Sequence, residues 1–526
     1  MSPIRVVALV LVMVAACSDE VPVSPEAEAP VQGRLLHGGP GIEDPDFVQV
    51  GAETWVRFNL RRAPAAAGAS GVVDVHLVNW ADPARNRVLV VGRSDRLQWP
   101  LVSDASGASY YMTDERRSPT GTVSGTLTRV SLDAGVRDSI ADVLDYSLVS
   151  SGSTWFFYRK LLADQPGGEL HARDLTGKDR NLGPVADGIR PLGLGATLYY
   201  VTAPSRTLTR VIGLDGSIEP LRADVARFLV SGDQKHAVVE VLDKGMPRAV
   251  VLDLVDPAGG ERPLPVTNAC CWLRFTGNKF EFAVAAMAGR PAELHRFDLT
   301  TGTDQAIVMP EGLTTVDAVI GHPSAPDWLA FDGTGGVALV RPDGSTQLLP
   351  IRARFPVFTP DGRYLLFVGA PAGGSEEQAL YAQHTDDWSR PPRRISPAGV
   401  NVQFRSILGP VGQDGNHRLM FLADAARGTS DLYIGDHEVG VSVRIAEAIG
   451  AVSIGEKHLF GVVNAVHDNV GDLLLRDLPT GPDTLVERGV SDWAVGMEGM
   501  AFVVRGGSAA SPRHGLWGAP LPTGLR

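Results

Sequence analysis

Ten times along this chain a short turn, usually carrying glycine, leads straight into an apolar strand start, and successive copies are nearly evenly spaced. Anchored on residues 109, 154, 197, 236, 279, 327, 363, 417, 457 and 500, the copies stand 36 to 54 residues apart. Gly107-Ala108-Ser109-Tyr110, Gly277-Asn278-Lys279-Phe280 and Gly499-Met500-Ala501-Phe502 illustrate the pattern. A second turn signal falls within the same units, at Asp174-Leu175-Thr176-Gly177, Leu214-Asp215-Gly216, Asp298 to Gly302, Arg341 to Gly344 and Asp477 to Gly481. Each follows a strand-like run and marks a hairpin. No stretch sustains the 3.6-residue period of an amphipathic helix, so the chain reads as all-β.

The clearest copy is Arg354 to Ser396. Phe355, Val357 and Thr359 alternate with Pro356 and Phe358, and Pro360-Asp361-Gly362 reverses the chain, proline fixing φ and glycine accepting a positive one. Tyr364-Leu365-Leu366-Phe367-Val368 is an unbroken apolar run, the pattern of a strand buried on both faces. Leu380-Tyr381-Ala382 supplies a third strand, and the basic Arg393-Arg394-Ile395-Ser396 suits an outer edge protected by charge. Four antiparallel strands in about 40 to 50 residues is the size of a propeller blade. The expected fold is therefore a β-propeller of about seven to ten four-stranded blades, in one ring or two adjoining rings. The last unit is short, and Arg87 to Val91 is the expected donor of a strand that closes it. The phrase FTPDGRYLLF with its downstream LY and RRIS resembles the TolB-type (WD-type) propeller repeat. That resemblance implies a rigid module taking part in complexes of a bacterial envelope.

Residues 1–16 combine Arg5 with an apolar run up to Ala16, the make-up of an export signal too short to span a bilayer as a helix. Val14-Ala15-Ala16-Cys17 resembles the lipobox of bacterial lipoproteins, which implies that the Cys17 thiol is acylated and holds the chain to a membrane. The Pro-, Glu- and Ala-rich residues 17–32 read as a flexible tether, 33–75 as a β-like N-terminal segment, and 76–526 as the repeats. The net charge of −12 offers no basic footprint for nucleic acid.

No nucleophile elbow, paired metal-ligand motif, phosphate-cradling glycine loop or calcium loop is present in the sequence. Ser103 to Gly107 is a turn, one residue out of phase with a sialidase Asp-box, and Asp361 is a turn residue before glycine rather than an acid catalyst. No histidine pairs in sequence with a carboxylate at ligand spacing, so neither metal nor cofactor is expected. The one unusual pair is Cys270-Cys271, beside Trp272, in the slot of an innermost strand. Exported to an oxidising compartment, the two thiols either bond to each other or stay reduced as small buried groups. A vicinal bridge there would stiffen a platform for a ligand. These features point to a non-enzymatic binding or scaffold module for a protein, peptide or glycan; the alternative is a glycan- or peptide-processing hydrolase or lyase at the propeller channel.

Overall fold

The computed structural model explains the repeat through its second strand. In Tyr364–Pro371 successive side chains point to opposite faces, and both faces are buried. Leu365 and Phe367 pack with Val337 and Leu339 of the preceding sheet, whereas Tyr364, Leu366 and Val368 pack with Phe421 and Tyr433 of the following one. Each apolar run is thus the filling between two neighbouring sheets. A helix period could not serve both interfaces.

The structure describes residues 33–521 except for 63–71, 95–107, 118–121, 150–154, 266–270, 323–328, 372–377, 411–417, 466–469, 478–482, 506–512 and gaps of one to three residues. Among the described residues every strand pairing is antiparallel and there is no helix. Six sheets have four strands each and span residues 192–222, 225–263, 271–308, 318–348, 351–394 and 402–449. A ten-stranded sheet holds three further blades and a seven-stranded sheet two. They are fused because long strands change partner midway. Gly135–Leu148 pairs with Val123–Ser131 up to Val143 and with Trp155–Leu162 from there, and Asp483–Val495 makes the same switch at Val490.

The described residues therefore form eleven blades, one beyond the upper expected count. Each of the ten anchors lies in the second strand of a blade or one to two residues before its start; residues 154, 327, 417 and 457 themselves fall outside the described residues. The eleventh blade is Ile42–Val50, Glu53–Arg62, Val72–Asn79 and Asn86–Ser94. Eleven apolar clusters lie between successive blades, and one of them joins Leu36, Val56, Phe58 and Trp80 from the front of the chain to Ala501, Val503 and Leu516 from its end. The blades make one closed ring.

The closing strand differs from the expected one. Arg87 to Val91 belongs to Asn86–Ser94, the outer strand of the first blade. Closure comes from Arg34–Gly38, which pairs antiparallel with Gly515–Ala519. Its advantage is position: it reaches the last blade's free edge while the chain following it starts the first blade. Edge pairing removes an open row of backbone donors and acceptors.

Candidate functional site

The turn chemistry of Asp361 positions one edge of a recess. Thr359 Oγ1 and the Arg363 N–H donate to Asp361 Oδ1 at 2.5 and 3.0 Å, and Gly362 takes a φ of 72°. Burial works against ionisation of Asp361, but these donors hold its pKa below the usual value. Ser231, Asp233 and Lys235 repeat the arrangement in another blade. Asp361 is thus fully occupied as a turn residue, and it fixes Arg363 and Tyr364 at the start of their strand.

Beside them opens a cavity of about 310 Å³ between the blade of residues 351–394 and the next one. Arg363, Arg390 and Arg393 stand at its exposed rim, and Glu438 is the one carboxylate among its described lining residues. Its buried floor is aromatic: the Tyr364 ring meets His384 edge-on at 5.1 Å and His437 at 4.8 Å. His437 and Glu438 arrive on the hairpin after Thr429–Asp436, which is fixed by the Glu438 and Val439 N–H groups donating to Asp436 Oδ1, both at 2.9 Å. Arg390 also pairs with Asp387 at 2.8 Å. Sequence reasoning missed this recess because its residues come from three separate stretches. The visible signal was Arg393-Arg394, which reads equally well as edge protection.

The residues singled out in the sequence lie elsewhere. Cys17, Cys270 and the whole of Ser103 to Gly107 fall outside the described residues. Cys271 opens the first strand of its blade, Cys271–Thr276, opposite Ala283. Trp272 is half-buried, with the Arg227 guanidinium 4.2 Å above its ring and Phe280 edge-on at 5.9 Å. One face of the indole is therefore occupied by a neighbouring blade through a cation–π contact.

One reading of the sequence is corrected by the structure: two histidines do sit between carboxylates. His171 Nδ1 and Nε2 lie 2.9 and 3.0 Å from Asp179 and Glu169, and His295 repeats this with Asp304 at 2.7 Å and Glu293 at 3.2 Å. Each imidazole also stacks on an aromatic ring of the adjacent strand, Tyr158 at 5.0 Å and Phe282 at 4.9 Å. The two segments, Glu169-Leu170-His171 and Glu293-Leu294-His295, share one pattern, each followed by an Asp-Leu-Thr turn and then the second carboxylate. The pairing escaped sequence reasoning because that carboxylate stands beyond the turn, eight or nine residues downstream.

Burial disfavours the charged imidazole in both cages, but the flanking carboxylates outweigh it and raise both pKa values. A raised folded-state value means stability that is complete below the unfolded value of about 6.5 and is lost as pH climbs through the folded one. The thermal midpoint should accordingly fall as pH is raised from about 6. The double substitution His171→Gln and His295→Gln should flatten that slope, and an unchanged slope would show that the cages carry no such linkage.

A half-buried carboxyl marks the seam where the ring closes. Burial pushes Asp492 up to about 6, with the charges of Asp44 and Glu43 adding to the shift, although the Asp44 N–H donates to its Oδ2 at 2.6 Å. No group of three or more metal-ligating side chains occurs among the described residues.

No family model matches the chain, and no curated protein sequence matches it. Among solved structures it is similar to a eukaryotic initiation factor at 10% identity, covering 89% of this chain and 99% of that one, with a TM-score of 0.41. It is similar to the tricorn protease at 12% identity over 89% of this chain, with a TM-score of 0.30, and spans 60% of that protein's length. TolB from Acinetobacter baumannii is similar at 14% identity over 56% of this chain and 80% of its own, with a TM-score of 0.23. The strand order and closure of its own sheets make this chain an all-β, multi-blade β-propeller.

Proposed function

We propose that the chain is a lipid-anchored protein of a bacterial envelope whose propeller is a non-enzymatic binding or scaffold module for a protein, peptide or glycan. The observation that carries the binding role is the cavity of about 310 Å³ in which three guanidinium groups surround an aromatic floor. Its groups are held by two packed blades, so little order has to be imposed when a ligand arrives. A few convergent polar groups around an aromatic floor are the ordinary make-up of a recognition site.

The anchor rests on Val14-Ala15-Ala16-Cys17 and the export signal before it. From Cys17 to the closing strand at Arg34 the chain can reach at most about 60 Å, at roughly 3.5 Å per residue. An acylated Cys17 would therefore leave the ring free to meet partners within that distance of the bilayer.

Cys17→Ser should move the protein from the membrane fraction to the soluble one, and unchanged fractionation would refute the anchor. Crosslinked capture from envelope extracts tests the scaffold role in the same strains. Recovery of a partner by the wild type and its loss when the recess arginines are replaced supports that role. Turnover of a glycan or peptide substrate by purified protein, abolished by a recess substitution, would overturn it in favour of an enzyme.

A further inference from the structure

We infer that the recess rimmed by Arg363, Arg390 and Arg393 binds a small ligand through an oxyanion, a carboxylate or a phosphate, on a body up to about the size of a sugar. The inference rests on the binding role proposed above and gives that site its ligand chemistry.

Charge is the first argument. The whole protein carries −12, yet this cavity gathers three guanidinium groups; Arg390 pairs with Asp387 at 2.8 Å and Arg363 lies 3.8 Å from Glu438, which leaves the Arg393 cation in excess. Guanidinium is cationic at every physiological pH and presents a planar fork of donors that matches carboxylate and phosphate oxygens. Such a local reversal of sign draws anions out of an otherwise repelling field.

Availability is the second. Glu438 stands 3.8 Å from Arg363, beyond hydrogen-bond length, and the Arg393 side chain makes no hydrogen bond or ion pair among the described residues. Arg394, the next residue, is satisfied instead, donating to the Ser396 and Pro397 carbonyls at 2.9 and 2.6 Å. Two adjacent arginines thus have different duties. One closes the loop and the other faces the cavity.

Placement is the third. Gly440 has a φ of 79°, and a Cβ there would strike Cδ of Arg393, so glycine at this position lets the aliphatic stem of Arg393 lie along the hairpin that carries His437 and Glu438. The stem is steered while the guanidinium stays exposed. Size follows from the volume, which lies at the lower end of small-ligand pockets and excludes an extended chain from being enclosed.

Calorimetric titration of the purified protein with glucuronate, glucose 6-phosphate, inorganic phosphate and glucose tests this. Glucuronate, glucose 6-phosphate or both should bind and glucose should not. Inorganic phosphate reports whether the oxyanion alone suffices: binding as tight as that of the sugar phosphate would overturn the sugar-sized body. Arg393→Ala should weaken binding by about 10-fold or more, and Arg393→Lys should restore only part of it because the planar fork is lost. Both variants should melt at the wild-type temperature, since the side chain is exposed, which separates lost recognition from lost folding. Failure of both glucuronate and glucose 6-phosphate to bind, or binding unaffected in Arg363→Ala and Arg393→Ala, would overturn the inference. Tighter, arginine-dependent binding of a short acidic peptide would also overturn it. If the probes fail while envelope capture persists in these variants, the scaffold role stands without this recess; if capture fails in the wild type as well, that role falls too.

Discussion

A chain beginning at Pro40 should lose its cooperative thermal transition or melt far below the intact protein. The missing strand, Arg34–Gly38, is the fourth strand of the last blade, and its partners Gly515–Ala519 would become an unprotected edge. Leu36 is buried among Phe58, Trp80, Val503 and Leu516, so its loss uncovers the one apolar cluster that joins the two ends of the chain. Burial of one leucine is worth about 2 to 3 kcal/mol and each lost backbone pairing about 1 kcal/mol, which together reach about 5 kcal/mol. That is comparable with the whole stability of many domains. The other blades meet through local interfaces, so damage at the seam frees both ends of the array rather than one loop. Close fit adds to the demand: a Cβ on Gly33 would come within 2.7 Å of the Gly518 carbonyl oxygen, so the strand enters where only backbone fits. Leu36→Asp makes a point test of the same idea, because it keeps the strand and buries a charge in that cluster. Unfolding of both variants at the wild-type temperature would show that the ring does not depend on this closure.

The contrast between strand and seam shows what can be read along a sequence. Tyr364 to Val368 announces a strand between two sheets because burial on both faces leaves an unbroken apolar run. All ten predicted starts mark second strands because turn chemistry is local: Asp361 binds the hydroxyl and amide of residues within two positions. The eleventh blade carries the same kind of signal, Gly51-Ala52-Glu53-Thr54-Trp55, but its first strand, Ile42–Val50, holds Glu43, Asp44, Pro45 and Asp46, which break the apolar pattern of a strand. Closure by Arg34–Gly38 has no local signal, since its partner lies at the other end of the chain. The recess is hidden for the same reason. Arg363, Arg393 and Glu438 become neighbours only when two blades pack, and nothing in Arg393-Arg394 distinguishes the residue that faces the cavity from the one that binds its own loop. The histidine cages lie between these cases, because their pattern is local and repeated but crosses a turn.

Glu281→Ala should destabilise the protein by about 3 kcal/mol or more, a larger loss than a surface ion pair would give. Glu281 lies in the second strand of the blade that Cys271 opens, and its side chain is 2% exposed. It stands opposite Arg274 on the first strand and Arg296 on the third. Arg274 Nε donates to it at 2.8 Å, Arg296 Nε lies at 3.3 Å, and the Thr276 hydroxyl adds a contact at 3.4 Å. One carboxylate thus balances two guanidinium groups across three adjacent strands. The two arms are unequal. The Arg274 side chain is 30% exposed and can turn to water, whereas that of Arg296 is 4% exposed and stays buried when the carboxylate beside it is removed. Most of the loss should therefore come through Arg296, and the double substitution Glu281→Met with Arg296→Met should recover much of it by replacing the buried charges with apolar packing. Urea unfolding of the single and double variants gives the comparison directly. A loss below about 1 kcal/mol for Glu281→Ala would place this carboxylate with the weak surface pairs. The expected larger value would make it the clamp on Cys271–Thr276, the strand that presents Trp272 to Arg227.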